Sequence, residues 1–116
     1  MERGNVKIMK TINNMEELNE VLEKNTDKNV FVQFSASWCG PCKLYTRNLE
    51  SLESDYKDSY LFVKADIEDD SRFVTKFKIQ GVPRTVIFAA GEQLDSFVGS
   101  KNVTDIKSIL ERNSDR

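Results

Sequence analysis

Apolar positions along the chain recur in two rhythms, and the switches between them mark out a series of strands and helices. Val6 to Thr11 reads as a short first strand. Met15, Leu18, Val21 and Leu22 then fall at helical spacing, with Asn13 or Asn14 placed to cap the start. Asp27-Lys28-Asn29 reads as a turn. Val30 to Phe34 is a mostly apolar run, the pattern of a strand covered on both faces, and Gln33 is its one polar member. From about Pro41 to Tyr56 the period is helical again, with Leu44, Leu49, Leu52 and Tyr56 assigned to the apolar side. Tyr60 to Val63 forms the next strand, ending near Asp66, and Ser71 to Phe77 a short helix that Asp70 is placed to cap. Thr85 to Phe88 is a further strand. Ala90-Gly91-Glu92 turns into its hairpin partner, Leu94 to Val98. Val103, Ile106, Ile109 and Leu110 restore helical spacing at the end, with Asn102 or Thr104 near the start of that helix.

The resulting order is β-α-β-α-β-α-β-β-α. Strands alternating with helices predict an α/β fold: a mixed, mainly five-stranded central sheet flanked on both faces by about four helices. The chain shows no internal repeat, low-complexity tract or long linker, and its 116 residues suit a single domain over 1–116. The polar ends, residues 1–5 and 113–116, are predicted to fray.

Composition narrows the function classes. A hydrophobic share of 39% supports a packed core, and a net charge of −2 carries no basic excess of the kind nucleic-acid binders need. No apolar run approaches the ~20 residues that span a bilayer, so no membrane role is expected. The first residues lead into no apolar stretch of signal-peptide type, which predicts a cytoplasmic protein. A monomer is the default expectation.

The cysteine count carries most of the chemistry. There are two cysteines and no histidine. Two cysteines cannot complete a four-ligand zinc site within one chain, and a Cys–His nucleophile pair is impossible, so no metal is expected. In a reducing compartment a close cysteine pair is catalytic, redox-active or metal-binding more often than it is a structural staple. Two intervening residues also close too small a loop to stabilise the fold much through chain entropy. The segment Trp38-Cys39-Gly40-Pro41-Cys42 lies between a buried strand and a helix. With Cys39 at the helix N-cap, Gly40 and Pro41 occupy the first turn, where a missing N–H costs nothing. Cys42 then lies one turn in, facing back toward Cys39. Free N–H groups and the positive end of the helix dipole favour a thiolate on Cys39, the dipole contributing roughly 0.3–1 kcal/mol. Attack by Cys39 on a disulfide, followed by attack of Cys42 on Cys39, completes a dithiol–disulfide exchange. Holding Cys42 one turn away makes the second step intramolecular.

The string Trp38-Cys39-Gly40-Pro41-Cys42-Lys43 resembles the active site of the thioredoxin family. Gly81-Val82-Pro83, Phe88-Ala89-Ala90-Gly91-Glu92 and Phe97-Val98-Gly99 are similar to further family segments, so the likeness runs from about Val6 to Arg112. The resemblance implies a thioredoxin fold and a protein-disulfide reductase that supports cell redox homeostasis. It implies that Pro83 is cis and packs against the dithiol, and that Val82 offers backbone hydrogen bonds to an extended client segment. Trp38 and Gly99 would frame the docking surface. No cofactor would be bound; reducing equivalents would come from NADPH through a thioredoxin reductase, and the clients would be disulfide-containing proteins.

Four positions depart from the family pattern. Gln33 stands where a buried Asp is usual, Ser35 where Trp or another bulky residue is usual, and Arg47 where a helix-kinking Pro is usual; Arg84 follows Pro83 where Thr is common. An amide cannot ionise, so proton transfer from Cys42 would need water or Lys64 as a relay. Arg47 predicts a straighter helix, and Arg84 sets a cation near the docking surface. Two other functions compete with the reductase: an oxidase or isomerase, which the Gly-Pro dipeptide disfavours, and a binding module, for which Gln33 leaves room.

Overall fold

The computed structural model describes residues 9–114. Nine elements follow one another: β1 (Lys10–Ile12), α1 (Met15–Lys24), β2 (Asn29–Ser35), α2 (Gly40–Leu52), β3 (Tyr60–Asp66), α3 (Ser71–Phe77), β4 (Arg84–Ala89), β5 (Glu92–Val98) and α4 (Val103–Asn113). Their order is the predicted one. Of the expected first strand, residues 6–8 lie outside the described residues, as do the ends 1–5 and 115–116 for which fraying was predicted.

The five strands form one sheet in the order β1-β3-β2-β4-β5. β1 and β2 both pair in parallel with β3, whereas β4 runs antiparallel to β2 and β5 antiparallel to β4. β2 is therefore interior, which is why its sequence is almost continuously apolar. Its side chains alternate between two cores. Val30, Val32 and Phe34 pack with Met15, Leu18 and Val21 of α1 and Phe73 and Phe77 of α3. Phe31 packs on the opposite face with Tyr45, Leu49 and Leu52 of α2 and Ile106 and Leu110 of α4. Gln33 and Ser35 share the face of Phe31, under α2.

Each helix start has a side-chain cap. Asn14 Oδ1 accepts the Glu17 N–H at 2.9 Å and Asn102 Oδ1 the Asp105 N–H at 2.8 Å, which selects Asn14 and Asn102 from the alternatives left open by sequence. At α3, Asp70 accepts the N–H groups of both Arg72 and Met15, tying α3 to α1. Arg72 completes the tie through Glu16, so Glu16 belongs to an ion-paired cluster and is not simply solvated charge. Hydrogen bonds from the Arg72 side chain, then from the Arg72 and Met15 backbones, hold the Asp70 carboxyl well below the usual range.

Three details differ from expectation. Leu44 is 55% exposed, and its neighbour Tyr45 takes the inward position. Cys42, Tyr45, Leu49 and Leu52 are the buried residues of α2, at intervals of three and four that leave Leu44 outside the stripe. α2 ends at Leu52, short of Tyr56. The polar stretch after it forms successive turns, in which the Tyr56 N–H donates to the Leu52 carbonyl at 3.2 Å and Tyr56 still rests against the α2–α4 core. Asn113, expected to fray, is buried in the last turn of α4. Its Nδ2 donates to Asp95 Oδ2 at 3.0 Å, and its backbone carbonyl accepts from Asn29 Nδ2 at 2.9 Å, so this residue near the end is held by two strands, through its side chain by β5 and through its backbone by β2.

Candidate active site

β2 leaves the sheet at Ser35, and after four more residues the chain enters α2 at Gly40. The bend is closed by the Cys39 N–H, which donates to the Ala36 carbonyl at 3.1 Å. Ser37 Oγ donates to Glu68 Oε1 at 3.0 Å and fastens the bend to the turn after β3. Between these anchors Trp38 is 67% exposed, the largest apolar side chain left at the surface. Core packing is thus not its role.

Cys39 is the N-cap of α2, with extended backbone angles, and its Sγ accepts the Cys42 N–H at 3.2 Å. The sulfur occupies the position that an Asn or Asp oxygen holds at the other helices. Gly40 and Pro41 make the first turn, where Pro gives up an N–H that has no intrahelical acceptor. Cys42 follows one turn into the helix and is joined to Cys39 by a disulfide, with the two Cα atoms 5.4 Å apart. Both cysteines are almost wholly buried, in a small apolar cluster with Ala36 against which Ile67 and Val82 pack.

Val82 arrives from the loop before β4. The Val82–Pro83 peptide is cis, as the family resemblance implies, and Pro83 is buried. The Pro83 carbonyl accepts the Gly99 N–H at 2.8 Å, which links the start of β4 to the end of β5. Gly99 has φ +104°, a conformation that disfavours any side chain. Arg84 is half-buried, and its Nε donates to Ser96 Oγ at 2.7 Å, so its stem is fixed across the hairpin.

Beneath the dithiol lies Gln33, fully buried on β2. Its Nε2 donates to the Cys42 carbonyl at 3.2 Å, and its Oε1 accepts from Thr46 Oγ1 at 2.9 Å. Thr46 Oγ1 also lies 2.9 Å from the Cys42 carbonyl. Thr46 escaped the sequence reading; its signal was the four-residue spacing from Cys42, which sets its hydroxyl over that carbonyl. Deeper still, Tyr45 Oη and Thr85 Oγ1 share a hydrogen bond of 2.7 Å that bridges α2 and β4. Burial pushes the Tyr45 phenol above its usual value, and the Thr85 hydrogen bond only partly opposes it.

Lys64 is the register neighbour of Gln33 on β3 and of Thr11 on β1. It lines a recess of about 300 Å³ whose wall includes Ser35, Cys42, Thr46 and Asp66. Thus Trp38, Cys39, Gly40, Pro41 and Cys42 form one corner of the molecule. Val82 packs against it from the loop before β4, Pro83 follows Val82 in the chain and is bonded to Gly99, Gln33 reaches the Cys42 carbonyl from β2, and Lys64 shares the recess wall with Cys42. Among the described residues no cluster of His, Cys, Asp and Glu could hold a metal ion.

Comparison with known proteins places this arrangement. The thioredoxin family model matches residues 9–112. The chain is 34% identical over 103 residues to a thioredoxin of Mycoplasmoides gallisepticum, covering 89% of this chain and all of that one. A thioredoxin of Staphylococcus saprophyticus is 31% identical over 98 residues, covering 80% of this chain and 94% of that one. Among solved structures, Fasciola hepatica thioredoxin superposes with a TM-score of 0.82 at 25% identity over 90% of this chain and 98% of its own. Plasmodium falciparum thioredoxin gives 0.81 at 27% identity over 90% and 99%.

Proposed function

Since the chain belongs to the thioredoxin family and is a thiol–disulfide oxidoreductase, we propose that it reduces disulfides of client proteins, with Cys39 attacking and Cys42 resolving. The observation that carries this reading is the position of Cys39. Its sulfur caps α2 and accepts the Cys42 N–H, so negative charge that develops there meets a backbone donor and the positive helix end. In the forward reaction the Cys39 thiolate bonds to one client sulfur, and the other client sulfur leaves as a thiolate. Cys42, already within disulfide-forming reach, then displaces the client from Cys39. The product is the Cys39–Cys42 disulfide.

Client recognition falls to the surface around the pair. Trp38 offers an exposed ring and Val82 a backbone beside the sulfurs, and the bond from the Gly99 N–H to the Pro83 carbonyl steadies the chain next to Val82. A strand-like client segment laid along Val82 would be held through main-chain hydrogen bonds, tolerant of client sequence. The oxidised pair is returned to the dithiol by a thioredoxin reductase that draws on NADPH. The chain works as a cytoplasmic monomer in cell redox homeostasis, binding neither nucleic acid nor membrane; its slight negative charge offers no basic excess for nucleic acid.

NADPH-coupled reduction of insulin in the presence of a thioredoxin reductase tests the reading. Turnover is expected, and the Cys42→Ser variant should retain clients on Cys39 as mixed disulfides that a thiol reductant releases. A folded protein that neither reduces insulin nor traps a client would point to a binding module instead. A redox potential well above the cytosolic glutathione poise would point to an oxidase.

A further inference from the structure

The resolving cysteine is gripped at its carbonyl by two side chains that do not titrate. Gln33 Nε2 donates to the Cys42 carbonyl, and the one Thr46 hydroxyl hydrogen is shared between that carbonyl and Gln33 Oε1, each 2.9 Å away, so the three groups are linked beneath the dithiol. A Thr hydroxyl over the carbonyl four residues back is common in helices; a buried amide reaching the same carbonyl from a neighbouring strand is not part of that pattern. Gln33 is 0% exposed, so its polar atoms depend on these partners, and loss of either would leave a buried group unsatisfied. Cys42 also borders the recess, which opens to solvent and whose wall Thr46 shares.

We propose that Gln33 and Thr46 are positioning residues for the resolving step: a neutral clamp that fixes Cys42 against Cys39 while the Cys42 proton leaves through the recess. The inference rests on the proposed reductase reading. In the step itself the Cys42 thiol gives its proton to water in the recess. Its thiolate bonds to Cys39 Sγ, the bond between Cys39 and the client sulfur breaks, and the client leaves as a thiolate that is protonated by solvent. The electron pair ends on the client and the dithiol is oxidised. Every element around Cys42 is accounted for. β2 offers only Gln33 and Ser35, β1 offers Thr11, and the loop before β4 offers Val82. The charged groups are Lys43 on α2, Lys64 and Asp66 on β3, and Asp69 before α3, all on the recess wall. No carboxylate lies between Cys42 and the sheet among the described residues, so resolution should follow one thiol ionisation with no second inflection from a buried acid.

Stopped-flow reaction of the reduced full chain with the aromatic disulfide 5,5′-dithiobis(2-nitrobenzoate) separates the two steps. The first thionitrobenzoate released reports attack by Cys39, and the second reports resolution by Cys42. Thr46→Val and Gln33→Leu should each slow the second release by about fivefold or more, the kinetic equivalent of one lost hydrogen bond, and leave the first within twofold. Gln33→Glu should add a second inflection to the pH profile of the second release, where the native chain shows one. Thr46 is half-buried, so its variant keeps the test open should Gln33→Leu not fold. A second release unchanged in Thr46→Val, or two inflections in the native profile, would overturn the clamp. Absence of the first release in the native chain would instead overturn the reductase reading.

Discussion

The starts of α2 and α3 solve the same problem with different atoms. Each has an N-cap residue in extended conformation whose side chain accepts a backbone N–H from the first turn: Cys39 Sγ from Cys42 at 3.2 Å, and Asp70 Oδ1 from Arg72 at 3.0 Å. Both positions favour negative charge, for the same dipolar and hydrogen-bonding reasons. At α3 the charge is permanent and answered from three sides, by Arg72, by the Met15 N–H and by the helix, and it binds two helices together. At α2 no acidic residue lies in the first turn, and the sulfur is surrounded by Ala36, Ile67 and Val82. Charge there arises only when the disulfide is reduced, and among the described residues the helix start and its N–H donor are what meets it. A cap answered by fixed partners is architecture, whereas a cap left with only the helix to answer it is available for chemistry.

The largest effect should come from making the two starts alike. Cys39→Asp gives α2 a carboxylate cap: insulin reduction should fall to the uncatalysed background. Thermal unfolding should show a variant that still folds but melts below the reduced native chain, because the gain from an Asp oxygen as cap is offset by the cost of setting a carboxylate in the apolar cluster around Cys39. A smaller effect is expected at the other start. Asp70→Ala should lower the melting temperature by several degrees through loss of the cap and of the α1–α3 tie, with activity retained.

The same carboxylate sets an acid limit. The folded chain holds Asp70 below the ordinary carboxylate range, so its contribution to stability is full above the unfolded value of about 4 and is lost as pH falls through the lowered folded value. Asp95 acts in the same direction: burial opposes, but bonds from Arg112, Asn113 and the Ser96 backbone outweigh it. Melting curves between pH 7 and 2 should therefore show Asp70→Asn losing less stability on acidification than the native chain. Parallel curves would remove Asp70 from the account. The smallest effect is reserved for a neutral cap remote from both starts. Asn102→Ala should cost about 1 kcal/mol in denaturant unfolding, independent of pH, since no charge is involved.

Much of this contrast was legible in the chain. The Asp70 cap follows from an acid directly before a short apolar period, and the Cys39 cap from a Gly-Pro pair that tolerates a first turn and little else. The Arg72–Glu16 tie was not legible, because it joins helices 56 residues apart and each member alone reads as solvated surface. Leu44 was misassigned for a related reason. Adjacent apolar residues in a helix leave its phase uncertain by about 100°, and only the packing of Tyr45 against Thr85 and α4 decides which one turns inward. Asn113 likewise read as a polar end residue until Asn29 and Asp95 were brought beside it.

By itself the sequence determined the order of elements, the interior strand, the family, and the dithiol at a helix start, since each depends on local periodicity or on a contiguous motif. The tertiary structure decided which residues stand around Cys42. Gln33 and Thr46 come from different elements, and the recess beside them is bounded by residues of β1, β2, α2 and β3. Their meeting depends on the register of β2 against β3 and on the phase of α2 over the sheet, and neither is encoded in any one segment of the chain.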